Sequence, residues 1–220
     1  MRVLIGYHHA LVASLLAEAL QLRGFEAITS SIDASGDLLR KVRHFEPAVV
    51  LLEVRPERDP DTVTLVSRLR RAGARIVLLS GTTQPLPLAE YVEAGAMDIV
   101  SKAAPLDRLV RIVTAAAASP SHSGLPPTLR DALQRILQEH RHRAAPFDSL
   151  TRGESDVLAA LLDGKNAQTI ALETFRAVRT VRGHIHGILS KLRVNSQLAA
   201  IAKAKAVGWP PRHTESDRES

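Results

Sequence analysis

The chain has 220 residues, a formal net charge of +6 and a sequence pI of about 10.1, a length that favours two ordinary domains over one large core. It contains no cysteine, which excludes disulfides, thiolate zinc sites and cysteine nucleophiles. No apolar run approaches the roughly 20 residues of a membrane span, and the first residues read as a strand and not a signal peptide, so no membrane and a cytoplasmic setting are expected.

The first half alternates strand-like and helix-like segments. Val3 to Gly6 is an apolar run, followed by helical periodicity from Ala10 to Arg23 that ends at Gly24, a natural left-handed stop. A second strand is expected over Phe25 to Ser30 and a helix over Ser35 to Phe45, stopped by Pro47. "AVVLLEV" from Ala48 reads as a buried strand, and Asp61 to Ala72 as a helix ended by Gly73. "RIVLLS" from Arg75 is a fourth strand, Leu88 to Ala94 a short helix, "MDIVS" from Met97 a fifth strand, and Pro105 to Ala118 a last helix. Strands separated by crossover helices imply an α/β, doubly wound, five-stranded parallel sheet, flavodoxin-like with strand order 2-1-3-4-5. In such a sheet the functional edge lies beyond the carboxyl ends of the first and third strands. Tyr7, His8, Glu53, Ser80 and Lys102 should gather there.

"SPSHSGLPP" after Ala118 breaks both helix and sheet and reads as a linker. Thr128 to Arg143 is amphipathic, with Leu129, Leu133, Ile136 and Leu137 on a stripe expected to pack on the chain's own domains, with an intermolecular coil as the alternative. From Phe147 the pattern is all helical. "TRGE" at Thr151 is a capping box, Gly164 ends that helix, and a short helix follows over about Ala167 to Glu173. "VRTVRGHIHGILSKL" comes next, then a helix over Ser196 to Ala206. "PPRHTESDRES" has little to bury and is expected to be disordered. The domains are thus 1–118, a linker 119–146 carrying a helix over about 128–143, an all-α unit 147–209, and a tail 210–220.

No acidic residue occurs between Glu173 and Glu215, while Arg176, Arg179, Arg182, Lys191, Arg193, Lys203, Lys205 and Arg212 fall in that window. A one-sign block inside a folded segment suits a nucleic-acid face; its plainer alternative is a solvated basic surface. Between Val178 and Leu192 the apolar residues Val178, Val181, Ile185, Ile188, Leu189 and Leu192 share one side. At about 100° per residue, Arg179, Arg182 and His186 share an arc of about 60° on the other. A helix fits the major groove, where arginine donates two bonds to guanine. Lys191 is better placed for a phosphate. Gly183 and Gly187 could let the backbone approach DNA or simply be tolerated. His184 and His186 point to different faces, so they are not read as a metal pair, and His184 reads as structural or phosphate-contacting.

"LTRGESDVLAALLDGKNAQTIA", "TVRGHIHGILSKL" and "VNSQLAAIAKA" together resemble the four-helix, helix-turn-helix output domain of NarL/LuxR-type transcription regulators, over about Leu150 to Gly208. The resemblance implies a double-stranded DNA partner, with Arg182, Gly183 and His186 toward bases and Lys191 toward the backbone. Arg176, Arg179, Thr180 and His184 complete the expected face. Ala177 departs from the family's usual serine or threonine cap, and Thr174 from an apolar residue. With that output domain, the first half resembles a response-regulator receiver. Such receivers bind Mg²⁺ through two acidic residues and phosphorylate an aspartate. Here Tyr7 and His8 stand at the acidic pair, Glu53 at the phosphoacceptor, Ser80 at the hydroxyl, Lys102 at the lysine and Ile99 at the aromatic switch. Mg²⁺ needs hard oxygen ligands, so aspartyl-type phosphorylation is expected to fail. Glu53 paired with Lys102 could mimic activation, or merely hold the domain together as a buried ion pair.

The leading expectation is a sequence-specific DNA-binding regulator, not an enzyme, without a cofactor or metal. It is expected to act as a homodimer whose receiver serves dimerisation or the sensing of a small-molecule effector. A metal-dependent enzyme or ligand-binding module using His8, His9 and Glu53 is the alternative, disfavoured because adjacent residues after a strand diverge. A pure interaction protein with a vestigial output domain is the third.

Overall fold

A computed structural model describes residues 1–32, 35–55, 61–118 and 124–209. Most of the expected linker "SPSHSGLPP" and the tail from Pro210 lie outside the described residues. The chain divides into two compact units, Met1–Leu137 and Gln138–Ser220.

The first unit alternates β1 (Arg2–Tyr7), α1 (Ala10–Gln21), β2 (Glu26–Ser31), α2 (Ser35–Phe45), β3 (Val49–Val54), α3 (Thr62–Arg71), β4 (Ile76–Ser80), α4 (Pro85–Ala94), β5 (Ala96–Ser101) and α5 (Leu106–Ala118). The sheet is parallel with order β2-β1-β3-β4-β5, as the alternation predicts. β3 is buried at every position because helices cover both faces. Val3, Ile5, Leu51 and Val77 pack with Leu20 of α1 and Val113 of α5. Their alternating neighbours Leu4, Val50, Leu52 and Leu78 pack with Leu38, Leu69 and Tyr91 of α2, α3 and α4. Gly6 pairs with Leu52, Glu53 with Leu79, and Ser80 with Ser101. That register brings the residues just after β1, late in β3 and just after β5 to one edge.

α4 begins at Pro85, three residues before the expected Leu88. Proline lacks an N–H that the first helical turn would leave unbonded anyway, so Pro85 and Pro87 start this helix without breaking it. α6 (Pro127–Ala144) crosses the division between the units. Leu133 and Leu137 pack on Ala89, Leu86, Leu88 and Val92 of α4, whereas Leu129 at the head of the expected stripe is exposed.

After the end of α6 the second unit continues with a 3-10 turn (Ala145–Ser149), then α7 (Arg152–Leu162), α8 (Ala167–Glu173), α9 (Val178–Leu192) and α10 (Gln197–Ala206). Its core joins Val157, Leu158 and Leu161 of α7, Ile170 of α8 and Ala200 of α10 to Val181, Ile185, Ile188 and Leu192 of α9. Phe147 and Trp209 stack at 5.8 Å between ring centroids, closing one end. Three of the four helices have side-chain caps from Thr151, Asn166 and Ser196; α9, entered from Ala177, has none.

Candidate nucleic-acid interface and the pocket at the sheet edge

α9 divides its residues as its periodicity dictates. Val181, Ile185, Ile188 and Leu192 face the core, and Arg179, Thr180, Arg182, Gly183 and His186 are exposed. Arg176, in the turn before α9, is exposed as well. That turn is tight: Thr174 ends α8 and Phe175 sits in the left-handed region at φ 52°, 97% exposed. The backbone N–H of Arg176 reaches back to the carbonyl of Ala171, a left-handed helix stop that turns the chain into α9. Arg179, Arg182 and His186 therefore form one cationic ridge on the side opposite the hydrophobic anchor.

The basic block is not uniformly free. Lys203 donates to the carbonyl of Leu192 at 2.8 Å and so caps the C-terminal end of α9. Lys191 donates to Glu154 at 2.5 Å. Glu154 is 7% exposed and also accepts from the backbone N–H of Thr151 at 2.7 Å and from its hydroxyl at 2.9 Å. Burial works to raise the Glu154 carboxyl, but the bonds from Lys191 and Thr151 outweigh it and hold it below the ordinary carboxylate range. Lys191 thus ties α9 to the capping box of α7, a structural contact in addition to the phosphate role expected for it. Gly187 is part of the same arrangement, since a side-chain carbon there would collide with the Glu154 carboxylate. Gly183 faces open space. The two glycines separate: one permits a close contact inside the fold, and the other leaves the exposed ridge low. His184 is half-buried with its ring edge against Gly153 at the start of α7, near the guanidinium of Arg176. Arg212 lies outside the described residues.

At the sheet edge, Glu53 is 2% exposed. Its Oε2 accepts from the backbone N–H of His8 at 2.9 Å and lies 2.9 Å from His8 Nδ1. Because a carboxylate only accepts, Nδ1 carries the proton in that bond. Oε1 is paired with Lys102. Burial works to raise this carboxyl; Lys102 and the two His8 donors prevail and hold it below the ordinary range. The Lys102 ammonium also lies 5.6 Å from the centroid of the Tyr7 ring. Burial, then the charge of Glu53, push the Tyr7 phenol up, partly opposed by Arg55. Ser80 does not join this cluster through its hydroxyl, which accepts from the Thr82 N–H at 3.1 Å and donates to its carbonyl. His9 is exposed at the N-cap of α1, diverging from His8. Among the described residues no group of three or more histidine, cysteine or acidic side chains is arranged to hold a metal ion. The donor set tells against Mg²⁺ independently: beside a phenol and an imidazole it offers one carboxylate, both of whose oxygens are engaged.

Neither the contact of Glu154 with Lys191 and Gly187 nor the division of labour within the basic block was evident in the sequence. Glu154 and Lys191 are 37 positions apart on different helices, and no local period links them.

Residues 148–204 match the model of the family described as bacterial regulatory proteins, luxR family. Across 93% of its length the chain is 28% identical to the "probable transcriptional regulatory protein NarL" of Mycobacterium tuberculosis, covering 93% of that protein. It is 27% identical to the "transcriptional regulatory protein LiaR" of Bacillus subtilis over 93% of this chain and 96% of that one. Among solved structures, a complex of the two-component response regulator RcsB with DNA shares the fold at a TM-score of 0.50 and 20% identity, covering 94% and 98% of the two chains. Among the described residues no helix is long and apolar enough to cross a membrane.

Proposed function

We propose that the chain is a response regulator of the NarL/LuxR type whose residues 148–204 form its LuxR-family DNA-binding domain. It binds double-stranded DNA in a sequence-specific manner through α9 and regulates transcription from promoter operators in the cytoplasm, without itself being an enzyme. The exposed ridge of Arg179, Arg182 and His186, backed by an apolar face that fixes the helix in its bundle, is the observation that carries this reading. Arg182 and Arg179 supply bidentate donors to base edges; Gly183 lets the helix approach, while Arg176 and Thr180 contact the entry side. His184 supports the ridge from behind. Lys191 keeps some exposure beyond its bond to Glu154 and contributes to the phosphate field. A homodimer places two such helices on half-sites about one helical turn apart. The working units are 1–118, 119–146 and 147–209.

The first unit works without phosphorylation. A receiver of the ordinary kind neutralises phosphoryl charge with Mg²⁺, and the residues present do not suit that ion. Glu53 is an ion-paired anchor at the sheet edge, and the unit contributes dimerisation and effector sensing.

Genome-wide occupancy of the wild type beside Glu53→Ala and Arg182→Ala tests both parts. Discrete sites lost in Arg182→Ala are expected, together with no gain of a phosphoryl group when purified wild type is incubated with acetyl phosphate and weighed intact. Occupancy unchanged by Arg182→Ala, or stoichiometric phosphorylation, contradicts the proposal.

A further inference from the structure

Between α1 and α5, beside the sheet edge, lies a cavity of about 330 Å³. Val12 and Leu16 of α1, Leu79 and Val100 of the sheet and Leu109 of α5 line its apolar part. Its polar end is formed by Tyr7 and Lys102, two of the residues that meet at the sheet edge. Tyr7 is 9% exposed, and its hydroxyl, open to solvent, makes no hydrogen bond within the described residues. A phenol donor at the end of an apolar cavity, bonded only to water, can be taken over by a ligand's acceptor.

We propose that this cavity binds a small amphipathic carboxylate, its apolar body between α1 and α5 and its head accepting a hydrogen bond from the Tyr7 phenol. The volume lies at the lower end of small-ligand sites, and the pattern of apolar walls with a few convergent polar groups is the one such sites share. Since burial pushes the Tyr7 phenol up, it stays protonated at neutral pH and donates. Lys102, with its side chain 29% exposed, adds positive charge at the same end. That ammonium is already shared with Glu53, which suits a single negative charge better than a dianion such as phosphate. A leucine from a second copy would fill the apolar part but make no use of the phenol's donor. The replacement of an acidic residue by Tyr7 therefore both removes a metal ligand and creates the head-binding donor. The inference rests on the sensing role proposed for this unit only for its consequence on DNA; the binding itself is independent of it.

Titration calorimetry of the full chain with decanoate below its micellar concentration tests the site. Saturable one-to-one binding is expected, about tenfold weaker in Tyr7→Phe and abolished by Ala19→Trp, which fills the cavity from α1. Tyr7→Phe keeps the ring and so separates the head contact from any misfolding of the bulkier variant. No saturable binding, or wild-type affinity in Tyr7→Phe, overturns the proposal. So does sedimentation showing that Leu15→Glu splits a dimer while decanoate leaves the protein unchanged, because the face then belongs to a second copy. Operator binding by a protein that fails to bind decanoate would leave the DNA reading intact while removing this inference.

Discussion

Glu53 is held by three donors, the His8 backbone, the His8 ring and Lys102, in a setting with almost no access to water. Removing one partner leaves the carboxylate under-compensated, so Lys102→Met should destabilise the first unit by about 2 kcal/mol. Urea titration followed by hydrogen exchange of β1 and β3 amides measures it. Glu154 behaves likewise in the second unit. Its folded carboxyl lies below the ordinary value of 4.5, so its contribution is fully present above that value and is lost as pH falls through the lower, folded value. Trp209, the chain's one tryptophan, packs on Phe147 and reports this unit alone. Its fluorescence-detected urea midpoint should fall more steeply below about pH 4.5 in the wild type than in Glu154→Gln. Equal slopes would show that the Lys191–Glu154 pair is not formed in solution. At this scale the sequence was partly legible. The chemical identity of Tyr7, His8 and Glu53 already argues against Mg²⁺, but the turning of Ser80 toward Thr82 depends on loop geometry that no spacing reveals.

α9 enters from Ala177 without a side-chain cap, in the extended conformation that a serine would use to accept from the first turn. Ala177→Ser should stabilise the second unit by about 1 kcal/mol, seen as a later Trp209 transition. Phe175, exposed and left-handed, loses no packing on truncation, and Phe175→Gly should also stabilise, by about 0.5–1 kcal/mol. Both changes lie next to the cationic ridge of α9, so their effect on stability and on DNA binding can be compared in one series. Element types and the strand order follow from apolar periodicity and the need for crossover helices. α1 shows where periodicity fails. "ALVASLLAEALQL" has helical periodicity that separates a buried stripe from a polar one, yet Leu11, Leu15 and Leu22 lie exposed outside that stripe. Only the fold shows that one of them, Leu15, borders a cavity.

For the whole molecule, a net charge of +6 states little until it is located. In the second unit Arg176, Arg179, Arg182, Arg193 and Lys205 are exposed, while Lys191 and Lys203 also serve the fold. Arg193→Ala or Lys205→Ala should weaken binding to all duplexes alike where the residue meets a phosphate, lowering the slope of log affinity against log salt by about 1. Arg182→Ala should instead relax sequence preference. The distinction between general field and base reading is the core of the account, and selection from a pool of randomised duplexes at physiological salt tests it most directly. The wild type is predicted to enrich a defined motif that Arg182→Ala fails to enrich. No motif with the wild type, or the same motif with both proteins, would contradict it.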